Sequence, residues 1–591
     1  MTPLTSLGAF ALLLAATPAL ALEVSLSPAT PGPRPAGTTL LFTARATGEG
    51  TLGYRFRAAA AGQPLRLLRD FAPGPVLDWT PLAEGAYEVA VTARSLETGE
   101  TAEASLGIQV LPVATGTPVV SPTAHPLVAL YSAPPCPEGH LRVGFAAPGD
   151  LRPHYTPWAA CGSGRSLNLH VAGLRAQTTY RLQHEVFVGG VLHARGPRLE
   201  HTTGAPPADV PRAAVLVPPE PDASLADEVL LFGMQWNNIQ QSFPFATDLA
   251  GRLIWYYDRI RAPWQLGAYL VRPAPAGTFL VIANDPGVWR VLREIDLAGN
   301  TLRETTVPRV SEQLVALGHD PITSFHHEAV RLPNGHTLVL GTAERLVTDL
   351  QGPGVVDVLG DVLVDLDPDW QVAWAWTSFH HLDLARAATL GETCSGPAQG
   401  CPPIGLAPVA NDWTHSNSVS YVGGDLVISV RNQDWVIKLD YRDGTGTGAV
   451  LWRLGREGDF TLLGGDDSRW FSHQHDAQAY DGGATIALFD NGNLRCDFEA
   501  PGGCSSRGQA LVIDEAARTA ALAVDADLGR YAPALGSAQR LGNGNYFFWS
   551  GLVTPGPHGE GFEVRTDGSP AFVAVSRTAY RAFRLRSLYG P

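Results

Sequence analysis

Charge, long apolar runs and cysteine are all scarce in this sequence. Only 17% of its residues are charged against 45% hydrophobic, a balance that excludes a disordered chain and leaves ample material for large cores. The charge that is present sums to −15, with no run of Lys or Arg, which excludes a nucleic-acid partner from expectation. Beyond residue 21 no stretch offers about 18 uninterrupted apolar residues, so no membrane-spanning helix is expected. There are six cysteines, and no two have the two-residue spacing of a zinc knuckle. They fall instead into sequence-local pairs, Cys136 with Cys161, Cys394 with Cys401 and Cys496 with Cys504, as loop-stapling disulfides do in an oxidising compartment.

What is present begins with residues 1–21, which read as a secretory signal peptide. The apolar run 7–16 is too short to span a bilayer, and Ala19-Leu20-Ala21 offers a small-residue cleavage site. A secreted or periplasmic protein is expected. Length allows several domains, and the 63 Gly and 47 Pro residues, with turn signals recurring between short alternating strands, point to an all-β chain. Residues 22–112 and 113–206 each resemble an immunoglobulin-like or fibronectin type III sandwich. The run Thr203-Gly204-Ala205-Pro206-Pro207 reads as a linker. Neither module carries clustered catalytic residue types, which assigns them to spacing, docking or homodimerisation.

From 207 to 591 one pattern recurs. A Gly-containing turn leads into an apolar strand, a second strand ends near Asp, and a turn leads into a third, aromatic-rich strand. TDLAGRLIWYYD, EIDLAGNTLRET, VDLDPDWQVAWAWT and KLDYRDGTGTGAVLWRLG are the clearest copies. The irregular period fits about six blades of a β-propeller with insertions. Such a fold closes on itself, and its innermost strands line a channel where residues distant in sequence meet.

The stretch 411–440, NDWTHSNSVSYVGGDLVISVRNQDWVIKLD, reads as two strands joined at Gly423-Gly424. Residues two apart in a strand share a face. That puts His415 with Asn417, and separates Leu426, Ile428 and Val430 from Val427, Ser429 and Arg431. Histidine, amide and arginine on neighbouring strands suit a small anion. His326-His327-Glu328 and His473-Gln474-His475-Asp476 precede turns in the same way. One blade position therefore carries histidine in three consecutive blades.

The motifs FHHEAVRLPNGHTLVL, DWTHSNSVSYVGGDLVISVRNQDWVIKLD and FSHQHDAQAYDGGATIALFDNG resemble those of the bacterial arylsulfate sulfotransferases, secreted six-bladed propellers. The resemblance implies sulfuryl transfer from a phenolic sulfate ester to a phenolic acceptor, without a nucleotide donor and without metal or organic cofactor. By that resemblance His475 is the nucleophile, and His327, His415, Asn417 and Arg431 hold the sulfate. His326 and His327 are adjacent, so in a strand only one enters the channel; His327, preceding Glu328, is preferred. His473 can share a face with His475, as a supporting substrate-binding residue or as a competing nucleophile.

The chemistry agrees with the residues. Neutral imidazole is a competent nucleophile near pH 7, and a sulfohistidine intermediate implies ping-pong kinetics. Arg431 offers a planar donor fork for oxyanions. One alternative is a metal held by His473 and His475 with His415 or His327. Another is calcium at Asp365-x-Asp367-x-Asp369, where a turn is the simpler reading. The third is a non-catalytic module binding glycan or protein through Trp413, Trp435, Trp470 and Trp549.

Overall fold

The structure is a computed structural model. It describes residues 21–30, 32–233, 244–257, 268–285, 288–396, 401–465, 467–499, 503–556 and 558–590. The expected leader, apart from its last position, lies outside the described residues. The chain is all-β, with helices confined to short connections.

The N-terminal part forms two facing sheets. One contains Glu23–Pro28, Leu40–Thr47 and Val76–Trp79; the other contains Thr101–Leu111, Gly85–Ser95, Leu52–Ala60 and Arg66–Ala72. Alternation drives the packing: in Leu40–Thr47, Leu40, Phe42 and Ala44 are buried while Leu41 and Arg45 are exposed. They meet Phe56, Val89 and Val91 of the facing sheet. A second pair of sheets follows, with Ala129–Ala133 and Leu167–Val171 opposite His140–Ala146 and Thr179–Val188. Tyr131, Leu141, Val143 and Leu182 form its core, beside the Cys136–Cys161 disulfide.

Both units are docked on the rest of the chain. Arg66–Ala72 pairs in parallel with Thr301–Thr306, so one sheet runs continuously through the junction. Arg94 is bonded twice to Glu312 at 2.7 Å, and Arg309 reaches the buried Asp70 at 3.2 Å. In the second unit, Val128 and Ala172 enter the core that contains Trp255 and Phe279.

Among the described residues, the remainder holds six antiparallel meanders of four strands. The first strands of five of them are Ala268–Ala274, Ser324–Arg331, Ser416–Val422, His475–Tyr480 and Ser537–Arg540. The sixth meander contains Val229–Phe232, Phe245–Asp248 and Leu253–Tyr256, and its remaining strand, Ala582–Leu585, comes from the far end of the chain. These strands contact one another in that order, from 268–274 through to 582–585.

The turn at Gly423-Gly424 is where the sequence placed it, between Ser416–Val422 and Asp425–Val430. Both faces of the second strand are covered. Leu426, Ile428 and Val430 join a core with Leu363 and Trp376, while Val427 joins Trp452 and Leu488. Trp413, Trp435, Trp470 and Trp549 are all buried, and three donate indole N–H to backbone carbonyls. They are packing residues, which removes the aromatic-face reading. Asp367 Oδ1 accepts from the backbone N–H groups of Asp369 and Gln371 at 2.8 and 2.9 Å, and Asp365 is held by His336 and Tyr441. The Asp365–Asp369 run is the end of a strand and the turn that follows it.

Candidate functional site

Register fails at the same place in three successive first strands. The ladders skip between His326 and Ala329, between Ser416 and Ser418, and between His475 and Gln478. His327, His415 and Asp476 adopt φ of 54°, 50° and 53°, the left-handed region that non-glycine residues seldom occupy. A bulge of this kind re-aims side chains near a strand end. It overturns the strict alternation expected for His326 and His327, since both line one cavity. It also separates His415 from Asn417.

That cavity, about 470 Å³, is lined by His326, His327, His415, Arg431, His475 and Tyr580. The ring centroids of His327 and His415 are 4.8 Å apart, and Tyr580 is 5.4 Å from His327 and 6.5 Å from His475. Leu359, Leu535, Leu552, Pro402 and the Cys394–Cys401 disulfide form an apolar wall. The third expected disulfide, Cys496–Cys504, also forms.

Carboxylates sort the histidines. His415 Nδ1 is 2.6 Å from Asp412, and His326 Nε2 is 3.2 Å from Asp361. His473 lies between Asp434, 2.9 Å from its Nδ1, and Glu392. It is fully buried and does not line the cavity. His475 bonds instead to neutral Asn491, 2.7 Å from its Nδ1. Burial pushes the pKa of His475 well below the ordinary histidine value, reinforced by Arg431 and His415 and opposed by the Asn491 bond. His327 is depressed by burial and by the neighbouring His415, His326 and His475. Burial thus favours the neutral form of both rings.

Arg431 follows Val430 at the start of a short helical turn, with its Nη1 2.6 Å from Asn432 Oδ1 and 3.9 Å from Glu392. Asn417 does not line the cavity. Its amide donates to the Gln474 carbonyl at 2.8 Å, and its Oδ1 accepts from Asp476 N at 3.2 Å. It ties two first strands together. Beside it, Glu328 and Asp476 face Arg272 and Arg581 in a buried network: Arg581–Glu328 is 3.0 Å and Arg272–Glu328 is 2.8 Å, with Arg272 also paired to Asp476.

Sequence reasoning missed Asn491, Tyr580, Arg581, Glu392 and Asp412. Two had a local signal: Asn491 directly follows the apolar strand of FSHQHDAQAYDGGATIALFDNG, and Asp412 opens the motif that carries His415 three residues on. Among the described residues no group of three or more His, Cys, Asp or Glu side chains is arranged to hold a metal ion. His473, with a carboxylate against each ring nitrogen, does not converge with His475 on one point.

One cavity thus brings together imidazoles, a guanidinium, the carboxylates of Asp361, Glu392 and Asp412, and apolar side chains. Residues 217–579 match the Arylsulfotransferase (ASST) family. That is well over half the chain, and the chain belongs to this family. It is a sulfotransferase of the arylsulfate type. No curated protein matches it. It is similar to a solved quinonprotein alcohol dehydrogenase-like protein from Bacteroides thetaiotaomicron, at 10% identity over 94% of this chain and 97% of that one, with a TM-score of 0.28. It is also similar to a two-domain fibronectin type III segment of chicken tenascin, at 14% identity over 31% of this chain and 98% of that one, with a TM-score of 0.14. Likenesses this loose carry no argument.

Proposed function

We propose that the protein moves a sulfuryl group from a phenolic sulfate ester to a phenolic acceptor, independently of a nucleotide sulfate donor, through a sulfohistidine at His475. The six meanders are the blades of a propeller, closed by Ala582–Leu585, with two β-sandwich modules, 22–112 and 113–206, in front and a secreted or periplasmic location. The observation that carries the reading is His475 itself. It is a buried imidazole held neutral, with its Nδ1 edge engaged by Asn491 and Arg431 on the same cavity.

With Nδ1 engaged, Nε2 is the atom left to attack sulfur. The Nε2–S bond forms as the S–O(aryl) bond breaks, and the phenolate leaves with a proton from His415, which Asp412 orients. In the second half the acceptor oxygen attacks sulfur, His415 takes the phenol proton, and the S–N bond breaks to return neutral His475. Arg431 and His327 stabilise charge on the non-bridging oxygens, as in related phosphoryl transfers. His326, anchored by Asp361, borders the same oxygens. The apolar wall of Leu359, Leu535 and Leu552 takes the aryl ring. Asn417, expected as a direct sulfate ligand, and His473, expected as a supporting residue or competing nucleophile, act from behind the cavity by holding the strands that carry His475.

The test is release of nitrophenol from nitrophenyl sulfate by the full chain, with chelator present and phenol varied. Parallel lines in double-reciprocal plots against donor and phenol support the reading. Activity lost with the chelator, or absent with several aryl sulfates, contradicts it.

A further inference from the structure

The Asn491 amide is fixed from behind by backbone. Its Nδ2 donates to the carbonyls of Ala532 and Leu535, at 2.7 and 3.0 Å. With both amide protons spent on carbonyls, the atom facing His475 Nδ1 is Oδ1, an acceptor only. The imidazole must therefore donate from Nδ1, and its Nε2 carries the lone pair. Asn491 is fully buried, so no water competes for either edge.

The carbonyls that fix Asn491 belong to a strained loop. Leu535 has φ of 66°, a left-handed conformation costly for a branched apolar residue. Gly551 packs so tightly against it that a Cβ built there meets Leu535 Cβ at 2.5 Å. Ser506 Oγ pins the loop base by accepting from Ala532 N and donating to the Asn491 carbonyl, both at 2.9 Å. In this conformation Leu535 turns its carbonyl to Asn491 and its side chain onto the cavity wall.

We propose that Asn491 is a positioning residue that selects the Nδ1–H tautomer of His475, and that Leu535, through its left-handed backbone, both locks Asn491 and walls the aryl pocket. The inference rests on His475 being the nucleophile. It adds that the reactive nitrogen is chosen by a neutral amide rather than by a carboxylate. A neutral partner orients the ring and stabilises the imidazolium less than a carboxylate would, so burial still keeps the lone pair on the nucleophile.

Selective 15N-histidine labelling of the intact protein, with His475→Gln identifying the resonances, reads the tautomer directly. The expected result is a protonated Nδ1 and an unprotonated Nε2 at neutral pH; the reverse assignment overturns the proposal even if every Asn491 variant fails to fold. Asn491→Leu slows the acceptor-free nitrophenol burst by about 10- to 100-fold, the usual cost of losing a histidine-orienting partner. Asn491→Asp places a carboxylate on Nδ1 and moves the burst's half-maximal pH upward. Leu535→Gly keeps the turn freely but removes the wall, so the loss falls more on donor KM than on the burst rate. Folded Asn491 variants with wild-type burst and pH profile overturn the proposal while leaving a labelled His475 intact. Absence of any label on His475 in the wild-type chain overturns the sulfohistidine reading instead.

Discussion

His473 Nδ1 stands 2.9 Å from Asp434 Oδ1, and its Nε2 meets Glu392. Burial alone disfavours its charged form, yet the hydrogen bonds to the two carboxylates outweigh burial and the pKa is raised. The two carboxylates thus favour the protonated form of His473 in a structural position. Removing one member of a buried ion pair costs about 3–5 kcal/mol, so His473→Ala should destabilise the protein by that order in denaturant unfolding. His475→Ala removes a neutral ring and should cost about 1–3 kcal/mol. Equal stability losses contradict the assignment. The contribution of His473 is fully present below pH 6.5 and is lost as pH rises through its raised folded value.

His475 and His327 show the opposite dependence. Both are depressed below 6.5, chiefly by burial, so the folded state holds them neutral where the unfolded chain protonates them. Their contribution is present above pH 6.5 and is lost as pH falls from there towards the folded values. Two results are expected. Acid unfolding should begin below 6.5 and be softened by His327→Gln, and the nitrophenol burst should hold steady from pH 7.5 to 6.5. A burst that titrates near the ordinary histidine value contradicts a buried neutral nucleophile.

The Arg272, Arg581, Glu328 and Asp476 network joins first strands, or residues beside them, from different meanders. Arg581 and Glu328 are essentially inaccessible. Arg581→Leu should cost about 3–5 kcal/mol by stranding the carboxylates. Pairing it with Glu328→Leu should recover part of that loss, and a double-mutant cycle measures the coupling. Strict additivity contradicts a cooperative network.

Arg431 is the cavity's guanidinium, and its fork matches an oxyanion in a way an ammonium does not. Arg431→Ala should lower kcat/KM by about 10²–10³-fold, the usual loss for one transition-state donor, and Arg431→Lys should restore only part of it. Full rescue by lysine reduces its role to charge alone.

Much of this fold was legible because its signals are local. The apolar alternation of 426–430 marked two covered faces, and Gly423-Gly424 marked the turn between strands. His327, His415 and His475 were legible because one strand position repeats in successive meanders, and Arg431 because it ends the apolar run 426–430. The bulges were not, since φ above zero at His327 and His415 leaves no mark in residues that are neither Gly nor Asn. That is why alternation gave Asn417 a place in the cavity and allowed only one of His326 and His327. Tyr580 lines the cavity and Arg581 joins the buried ion network from just before a strand at the chain's far end, where nothing nearby in sequence announces them. Glu392 acts through His473, 81 residues away, which only the fold sets beside it, whereas Asp412 stands three residues from His415.

The central claim is the bond between His475 Nε2 and sulfur, and the most direct measurement is rapid quenching after mixing the full chain with 35S-labelled aryl sulfate and no acceptor. The account predicts one equivalent of nitrophenol released with one equivalent of label on the protein. Fragmentation mass spectrometry should place the label at His475, and phenol should discharge it. Label at His327 or His473, or turnover with no protein-bound label at any time, contradicts the account.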